Sequence, residues 1–578
     1  MLAISASAVL VATTAVSLAF YTLASPFEAP HGLGASQARS RCDRASFARL
    51  LPAHATLESI AVVRENGNYG EGAADIPYPR NPTNLPALCA VIVGVRSSSS
   101  SSYRFGLFLP DDWNSRFLVV GNGGFAGGIN WLDMAAGPRI GMASLSTDTG
   151  HSGGTTDSTW ALNQPERRTD WGWRAIHGST VLGKRLVSAY YVNKPLRYSY
   201  YSGCSTGGRQ GLKELQASPD SFDGALIGAP AWWTSHTNTY VAQIGLYNLP
   251  VTDPKHLSLS DISLLADEVT RQCDGADGVM DGIVSSPELC TLNLTTLLCS
   301  DSKNNNNNNN TNPNPSSPKC LTAAQISTAE KVYSDYYFSE DHTLLHPGLT
   351  PGSEQQWYLL LNGTEPTPFG VGYVRNFLYN NPAWDWHAFN ESVTRYAEKT
   401  DPGNATADDY AALATVRERG GKVILYHGLA DGLVHTRLSE VYYNRTVAAL
   451  GGRHRGKHSK EGLADFFRMF LIPGMLHCLG SAVDAPWAMG GASQAGVLGA
   501  GVRSVPGFED AEHDALLALF DWVEKGRAVE SIVATAWRSP LDPTSGVKRQ
   551  RPVCAWPKKA VWDGVGSVDD AASWRCSR

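Results

Sequence analysis

Ser205 lies in the stretch Gly203-Cys204-Ser205-Thr206-Gly207, between the strand-like YSYYSG and the helix-like GRQGLKELQ. In that setting a G-x-S-x-G pattern lets the chain turn sharply and lift the serine hydroxyl clear of a sheet, where it can attack a carbonyl carbon. A plain glycine turn is the other reading of these residues. A serine hydroxyl is a useful nucleophile only when a base takes its proton and a third group orients that base. Two later strand ends supply candidates: KVILYHG runs into Leu429-Ala430-Asp431-Gly432, and RMFLIPG runs into Met475-Leu476-His477-Cys478. We read Ser205 as nucleophile, His477 as base and Asp431 as the acid that orients it; a helix cap or turn Asp is the other reading of Asp431. His427 and His435 compete with His477 for the acid, and His151 and His177 precede the serine and fit the order poorly.

Cys204 adjoins the nucleophile and Cys478 adjoins the base. If Ser205 and His477 meet, these cysteines come within the roughly 4.4–6.8 Å Cα separation that a disulfide needs. In the chain-entropy view, closing so long a loop stabilises by on the order of 5 kcal/mol. The bridge would also hold base and nucleophile in register before substrate arrives. Attack on a carbonyl further needs donors aimed at the developing oxyanion. The N–H of Thr206, just after the nucleophile, is one candidate. The run Gly121-Asn122-Gly123-Gly124 supplies the other, and we single out Gly124; an ordinary strand-to-loop turn is the alternative there.

These residues need a scaffold, and the flanking sequence describes one. LCAVIVGV and YRFGLFLP read as strands around the serine run Ser97–Ser102, a flexible hairpin tip. RFLVVGNGGF is a buried strand entering a glycine-rich turn, and STVLGKRLVSAYY has helical spacing. Strands alternating with helices imply a parallel sheet and an α/β fold. The order serine, acid, histidine is that of the α/β-hydrolase fold. From about residue 232 to 418 the pattern gives way to Asn, Pro, Asp and glycosylation sequons, including the run Asn304–Asn310, read as a disordered loop. It resumes at GGKVILYHG and continues through the helix DALLALFDWVEKG. The expected organisation is a signal peptide over 1–24, a first catalytic part over 25–231, a lid insertion over 232–418 and a second catalytic part over 419–578.

Bulk properties narrow the class. The 578-residue chain is 43% hydrophobic with a net charge of −6 and no basic stripe, which speaks against nucleic-acid binding. The apolar N-terminus ends in Thr22-Leu23-Ala24 and reads as a secretory signal, with a membrane anchor as the alternative. No later segment is apolar enough to span a bilayer. Ten cysteines and the sequons at Asn293, Asn309, Asn362, Asn390, Asn404 and Asn444 fit a secreted, disulfide-bonded glycoprotein.

The pairing of Cys-Ser with a later Asp and His-Cys resembles the signature of the tannase and feruloyl esterase family. VGNGGFAGGINW, STDTGH, YYSGCSTGGRQG and GAPAWW look most like its fungal feruloyl esterase B-type branch. The resemblance covers nearly all of the mature chain. It implies a Ser205-Asp431-His477 triad beside a Cys204–Cys478 disulfide, acting on feruloyl or related hydroxycinnamoyl esters of plant polysaccharides. Galloyl esters, as in a tannase, are the close alternative. Lid residues would decide between them, and the insertion offers Trp232, Trp233, Trp357, Trp384 and Trp386, although such residues are more often core than ligand platform. A catalytically inert hydrolase fold used for binding is the reading from another class, but such proteins typically lose a triad member and here all three are present. CDGADGVMDGIV spaces Asp274, Asp277 and Asp281 with glycines; these read equally as solvated turns or a hard-cation loop. The resemblance favours structural calcium held by those three residues and the carbonyls of Val279 and Ile283. It also implies the pairings Cys273–Cys290, Cys42–Cys89, Cys299–Cys320 and Cys554–Cys576.

Overall fold

The structure, a computed structural model, describes residues 41–299, 320–451, 463–498, 505 and 507–578. The signal segment, the Asn304–Asn310 run and the Asn309 sequon lie outside the described residues. A nine-stranded sheet organises the chain. In chain order its strands are β1 (Ala55–Val63), β2 (Leu88–Arg96), β3 (Ser102–Pro110), β4 (Arg116–Val120), β5 (Ala143–Thr147), β6 (Tyr198–Cys204), β7 (Gly224–Gly228), β8 (Lys422–Gly428) and β9 (Phe467–Ile472). In space they run β1-β2-β3-β5-β4-β6-β7-β8-β9.

From β5 to β9 every neighbour is parallel. The other edge is antiparallel, so the sheet is mixed rather than wholly parallel as the alternation implied. The cause is local: a short link such as Ser97–Ser101 can reverse the chain but cannot carry a parallel crossover. That tip is also tied down rather than loose. The hydroxyls of Ser97 and Ser101 both donate to Asp170 Oδ2, at 2.8 and 2.5 Å.

Near-continuous apolar strands arise because both faces of the sheet are covered. In β2, Val91, Val93 and Val95 enter one core while Ala90 and Ile92 enter the other. Helix α1 (Ala175–Tyr190) packs on β5 and β3, and α2 (Thr206–Ala217) packs on β6 and β7. Between the adjacent strands β7 and β8 the chain leaves the sheet. This excursion includes α3 (Thr234–Asn248) and α4 (Leu259–Cys273), and Tyr240, Leu265, Val269 and Trp357 give it a core of its own. After α5 (Ala515–Lys525), which packs on β7 and β8, the sequence reading did not anticipate two small antiparallel pairs. They are Ser531–Ser539 with Asp542–Cys554, and Lys559–Trp562 with Trp574–Ser577. The described disulfides are Cys42–Cys89, Cys204–Cys478, Cys273–Cys290, Cys299–Cys320 and Cys554–Cys576. The sequon residues Asn293, Asn362, Asn390, Asn404 and Asn444 are all exposed.

Candidate active site

Strand β6 delivers Cys204, helix α2 begins at Thr206, and Ser205 is the turn between them. Its backbone is left-handed, with φ +64° and ψ −124°. Such a conformation costs a non-glycine residue about 1–3 kcal/mol and persists only where the surroundings enforce it. Here the Ser205 N–H donates to the Gly228 carbonyl at 3.0 Å. Its own carbonyl accepts from the N–H groups of Arg209 and Ala231, at 3.0 and 3.1 Å. The turn is also tight: a Cβ on Gly203 would stand 2.7 Å from the Gly207 carbonyl oxygen. Strand and helix could not meet this closely with side chains at both glycines.

Asp431 follows the end of β8 and is fully buried. Its Oδ1 accepts the N–H groups of Leu433 and Val434, both at 2.9 Å. Its Oδ2 meets His477 Nδ1 at 2.7 Å. Burial by itself would raise this carboxyl, but the charge of His477 and hydrogen bonds from His427 and His477 hold it well below the usual carboxylate range. The acid is therefore ionised at any working pH. His477 sits on the loop after β9, and Cys478 bonds to Cys204 with their Cα atoms 6.0 Å apart. Ser205 and His477 line one cavity of about 290 Å³.

Two supporting residues escaped the sequence reading. His427, there a competitor for the acid, is fully buried and touches Asp431 Oδ2 through Nε2 at 3.1 Å. The same nitrogen lies 2.9 Å from the Val434 carbonyl, which can only accept, so Nε2 carries the proton. Nδ1 then takes the Ser439 hydroxyl at 2.7 Å. The spacing His-x-x-x-Asp across a strand end was the available signal. Gln356, from the excursion, had none. Its Oε1 accepts the N–H of Gly432 at 3.1 Å and of His477 at 3.0 Å, tying the acid loop to the base loop. The remaining histidines are occupied elsewhere. His435 Nδ1 donates to Pro347 O at 2.7 Å, and burial pushes its imidazole down to about 4. His151 stacks on Trp160 at 3.7 Å, and His177 pairs with Glu214 at 3.1 Å.

Gly124 and Thr206 also line the cavity. The Gly123 N–H is used by the Tyr78 hydroxyl, whereas neither the Gly124 nor the Thr206 N–H has an acceptor among the described residues. Gly124 is left-handed at φ +55°, and a Cβ there would lie 2.5 Å from the Thr155 carbonyl oxygen. The aromatic wall is Phe125, Trp171 and Phe369. None of the five tryptophans singled out in the insertion reaches it: Trp232 and Trp357, for example, are fully buried in cores. Their size made them core-formers first. From α3, Thr237 and Asn238 face the cavity, and Thr237 Oγ1 and Trp171 Nε1 are buried without a partner among the described residues.

The acidic loop lies apart from this cavity. Asp274 Oδ1 accepts the N–H groups of Asp281, Gly282 and Ile283, at 3.1, 3.0 and 3.2 Å. Asp277 Oδ1 accepts the Val279 N–H at 3.0 Å, while its Oδ2 is buried with no partner among the described residues. Asp281 pairs with Arg551 and lies 3.8 Å from Arg549. No group of three or more His, Cys, Asp or Glu side chains is gathered for a metal among the described residues. The orphaned Asp277 oxygen, in a loop of hard oxygen donors, is the feature that suits a hard cation.

Comparison with known proteins places the chain in a family. The sequence profile described as tannase and feruloyl esterase matches residues 89–357 and 374–577. "Probable feruloyl esterase B-1" of Aspergillus flavus is 32% identical over 519 residues, covering 88% of this chain and 91% of that protein. The crystal structure of feruloyl esterase B from Aspergillus oryzae superposes with a TM-score of 0.82 at 29% identity, covering 93% of this chain and 100% of that one. Tannin acyl hydrolase from Aspergillus niger shares the fold at 20% identity, with a TM-score of 0.71 over 94% of this chain and 95% of its own. The fold is thus that of an α/β-hydrolase, and the chain belongs to the tannase and feruloyl esterase family of carboxylic ester hydrolases.

Proposed function

We propose that the chain is a secreted feruloyl esterase that cleaves hydroxycinnamoyl esters of plant cell-wall polysaccharides through Ser205, His477 and Asp431. The observation that carries this is the 2.7 Å hydrogen bond between buried Asp431 and His477, which lines one cavity with the left-handed Ser205. His477 Nε2 takes the Ser205 proton as Oγ attacks the ester carbonyl. The ionised Asp431 holds the Nδ1–H tautomer and stabilises the imidazolium. The N–H groups of Gly124 and Thr206 receive the oxyanion. His477 then protonates the departing alcohol, and water activated by the same base releases the acid from Ser205.

The feruloyl preference is supported by the relatives' names and by the cavity wall. Phe125, Trp171 and Phe369 suit a planar aromatic acyl group, and Thr237 Oγ1 and Asn238 offer partners for a ring hydroxyl. The excursion between β7 and β8 acts as the lid, since α3 and Phe369 form part of that wall. Secretion and glycosylation are supported by the disulfides and the exposed sequons. No described helix is long and apolar enough to cross a membrane. Calcium in the acidic loop would be structural, held by Asp274, Asp277, Asp281 and the carbonyls of Val279 and Ile283. Its support is the unpartnered Asp277 oxygen.

Turnover of methyl ferulate, methyl caffeate, methyl gallate and tannic acid by the wild-type and Ser205→Ala proteins tests the reading. We expect the first two to be cleaved fastest, with no turnover by Ser205→Ala. Preference for the gallates would make the chain a tannase.

A further inference from the structure

A second cavity, about 800 Å³, opens on the far side of the acid loop. Leu429, two residues before Asp431, lines it; Leu433, two residues after, lines the catalytic cavity, and the two share no lining residue. The size falls within the range of about 300–1,000 Å³ typical of ligand sites. Its walls come from the excursion, from the loops around β8 and β9, and from the C-terminal strand pairs.

The charges on these walls are mostly neutralised from within the protein. Arg437 pairs with Asp335, Lys559 with Glu288, Arg551 with Asp281, and Lys558 with Glu530 at 3.0 Å. An anionic ligand would have to break such a pair to reach a cation, whereas a neutral one would not. Two groups stand ready for a neutral, hydroxyl-bearing ligand. The half-buried Glu440 carboxylate, which burial raises, accepts no hydrogen bond from the described residues. The half-buried Trp556 lines the cavity while packing in part against the core of the sheet, and its Nε1–H has no acceptor among the described residues. An aromatic ring, an acceptor and a donor on the walls of one cavity suit a sugar, whose C–H face can stack while its hydroxyls bond.

The rim carries the sequon Asn293-Leu294-Thr295. Asn293 Oδ1 accepts from the Thr295 N–H at 3.1 Å and hydroxyl at 2.7 Å, while the residue is exposed. We propose that the second cavity binds neutral carbohydrate through Trp556 and Glu440. The sugar is either the chain attached at Asn293 or unesterified polysaccharide of the substrate. The second source rests on the esterase reading above.

The experiment uses the full secreted protein with Asn293→Gln to empty the rim, and xylohexaose as probe, with binding measured by calorimetry. If polysaccharide is the source, Asn293→Gln protein binds xylohexaose and adding Trp556→Ala or Glu440→Gln weakens Kd at least tenfold, with aryl-ester turnover unchanged. Glu440→Gln keeps the test open if Trp556→Ala fails to fold. If the attached glycan is the source, endoglycosidase removes it from Asn293 of the wild-type protein at least tenfold more slowly than from Trp556→Ala or Glu440→Gln. The proposal is overturned if xylohexaose does not bind or binds all variants alike, and the Asn293 glycan is absent or released at one rate from all of them. Loss of aryl-ester turnover in the unsubstituted protein would instead sink the esterase reading and leave this site standing.

Discussion

The catalytic junction and the acidic loop are each closed by a disulfide beside their key residues, yet they are built in opposite ways. Cys204 and Cys478 are 274 residues apart, and the junction they hold takes its parts from β6, the loops after β8 and β9, and Gln356. Cys273 and Cys290 are 17 residues apart, and the loop between them largely satisfies itself, with Asp274 and Asp277 accepting N–H groups from residues 279 to 283. A local loop of this kind can form early and by itself. The junction exists only after the sheet has assembled, so its geometry depends on crosslinks that span it. The first disulfide should therefore matter for rate as well as for stability, the second for stability alone.

The comparison breaks outright if the junction is not catalytic. Ser205→Ala or His477→Ala should lower kcat by ~10⁴–10⁶ while thermal melting stays near wild type. Asp431→Asn should lose ~10⁴ because His477 no longer keeps the right tautomer. Near-normal turnover in that variant would remove Asp431 from the mechanism.

The double variant Cys204→Ala/Cys478→Ala sharpens the contrast. Misplacement of reacting groups by about 1 Å can cost on the order of 100-fold in rate. We expect a loss of that size at temperatures where circular dichroism shows a folded protein. Wild-type kcat in the folded variant would reduce this bridge to a stabiliser like the other.

His427→Leu removes one donor from Asp431. A hydrogen bond to a charged group contributes about 1.5–3 kcal/mol, so kcat should fall by about 10-fold or more with KM unchanged. His427→Gln, which restores an N–H, should recover part of it. Equal kcat in all three proteins, with only the melting temperature altered, would make His427 purely structural.

The smallest effect on rate is expected at the acidic loop. Chelation, or Cys273→Ala/Cys290→Ala, should lower the melting temperature and leave kcat at 25 °C within about twofold of wild type. Added calcium should reverse the chelation effect, and metal analysis that finds no calcium in native protein would refute the cation.

Much of this was legible in the residues. The glycines around Ser205, the strand ends before Asp431 and His477, and the cysteines beside two of the three are short-range patterns, and the alternation of apolar runs with helical spacing carried the fold class. Of the antiparallel edge only the hairpin around Ser97–Ser102 was legible; β1 and the antiparallel pairing of β3 with β5 were not, because local alternation does not report which strands pair or in which direction. In the C-terminal pairs a strand as polar as Asp542–Cys554 lacks a continuous apolar run, and the apolar Ser531–Ser539 does not by itself reveal so polar a partner. The insertion's tryptophans drew attention that belonged to Phe125, Trp171 and Phe369, because residue type does not say which side of a helix or strand faces a cavity.

Which groups could react, and their order along the chain, follows from the residues alone, because nucleophile, acid and base are set by residue type and the elbow by adjacent glycines. That His427 and His477 share one carboxylate oxygen, and that Gln356 ties the acid loop to the base loop, is a product of the packed fold. So are the two cavities that flank the acid loop. Those relations join residues tens to hundreds of positions apart, and no local pattern encodes a distance that only the packed sheet creates.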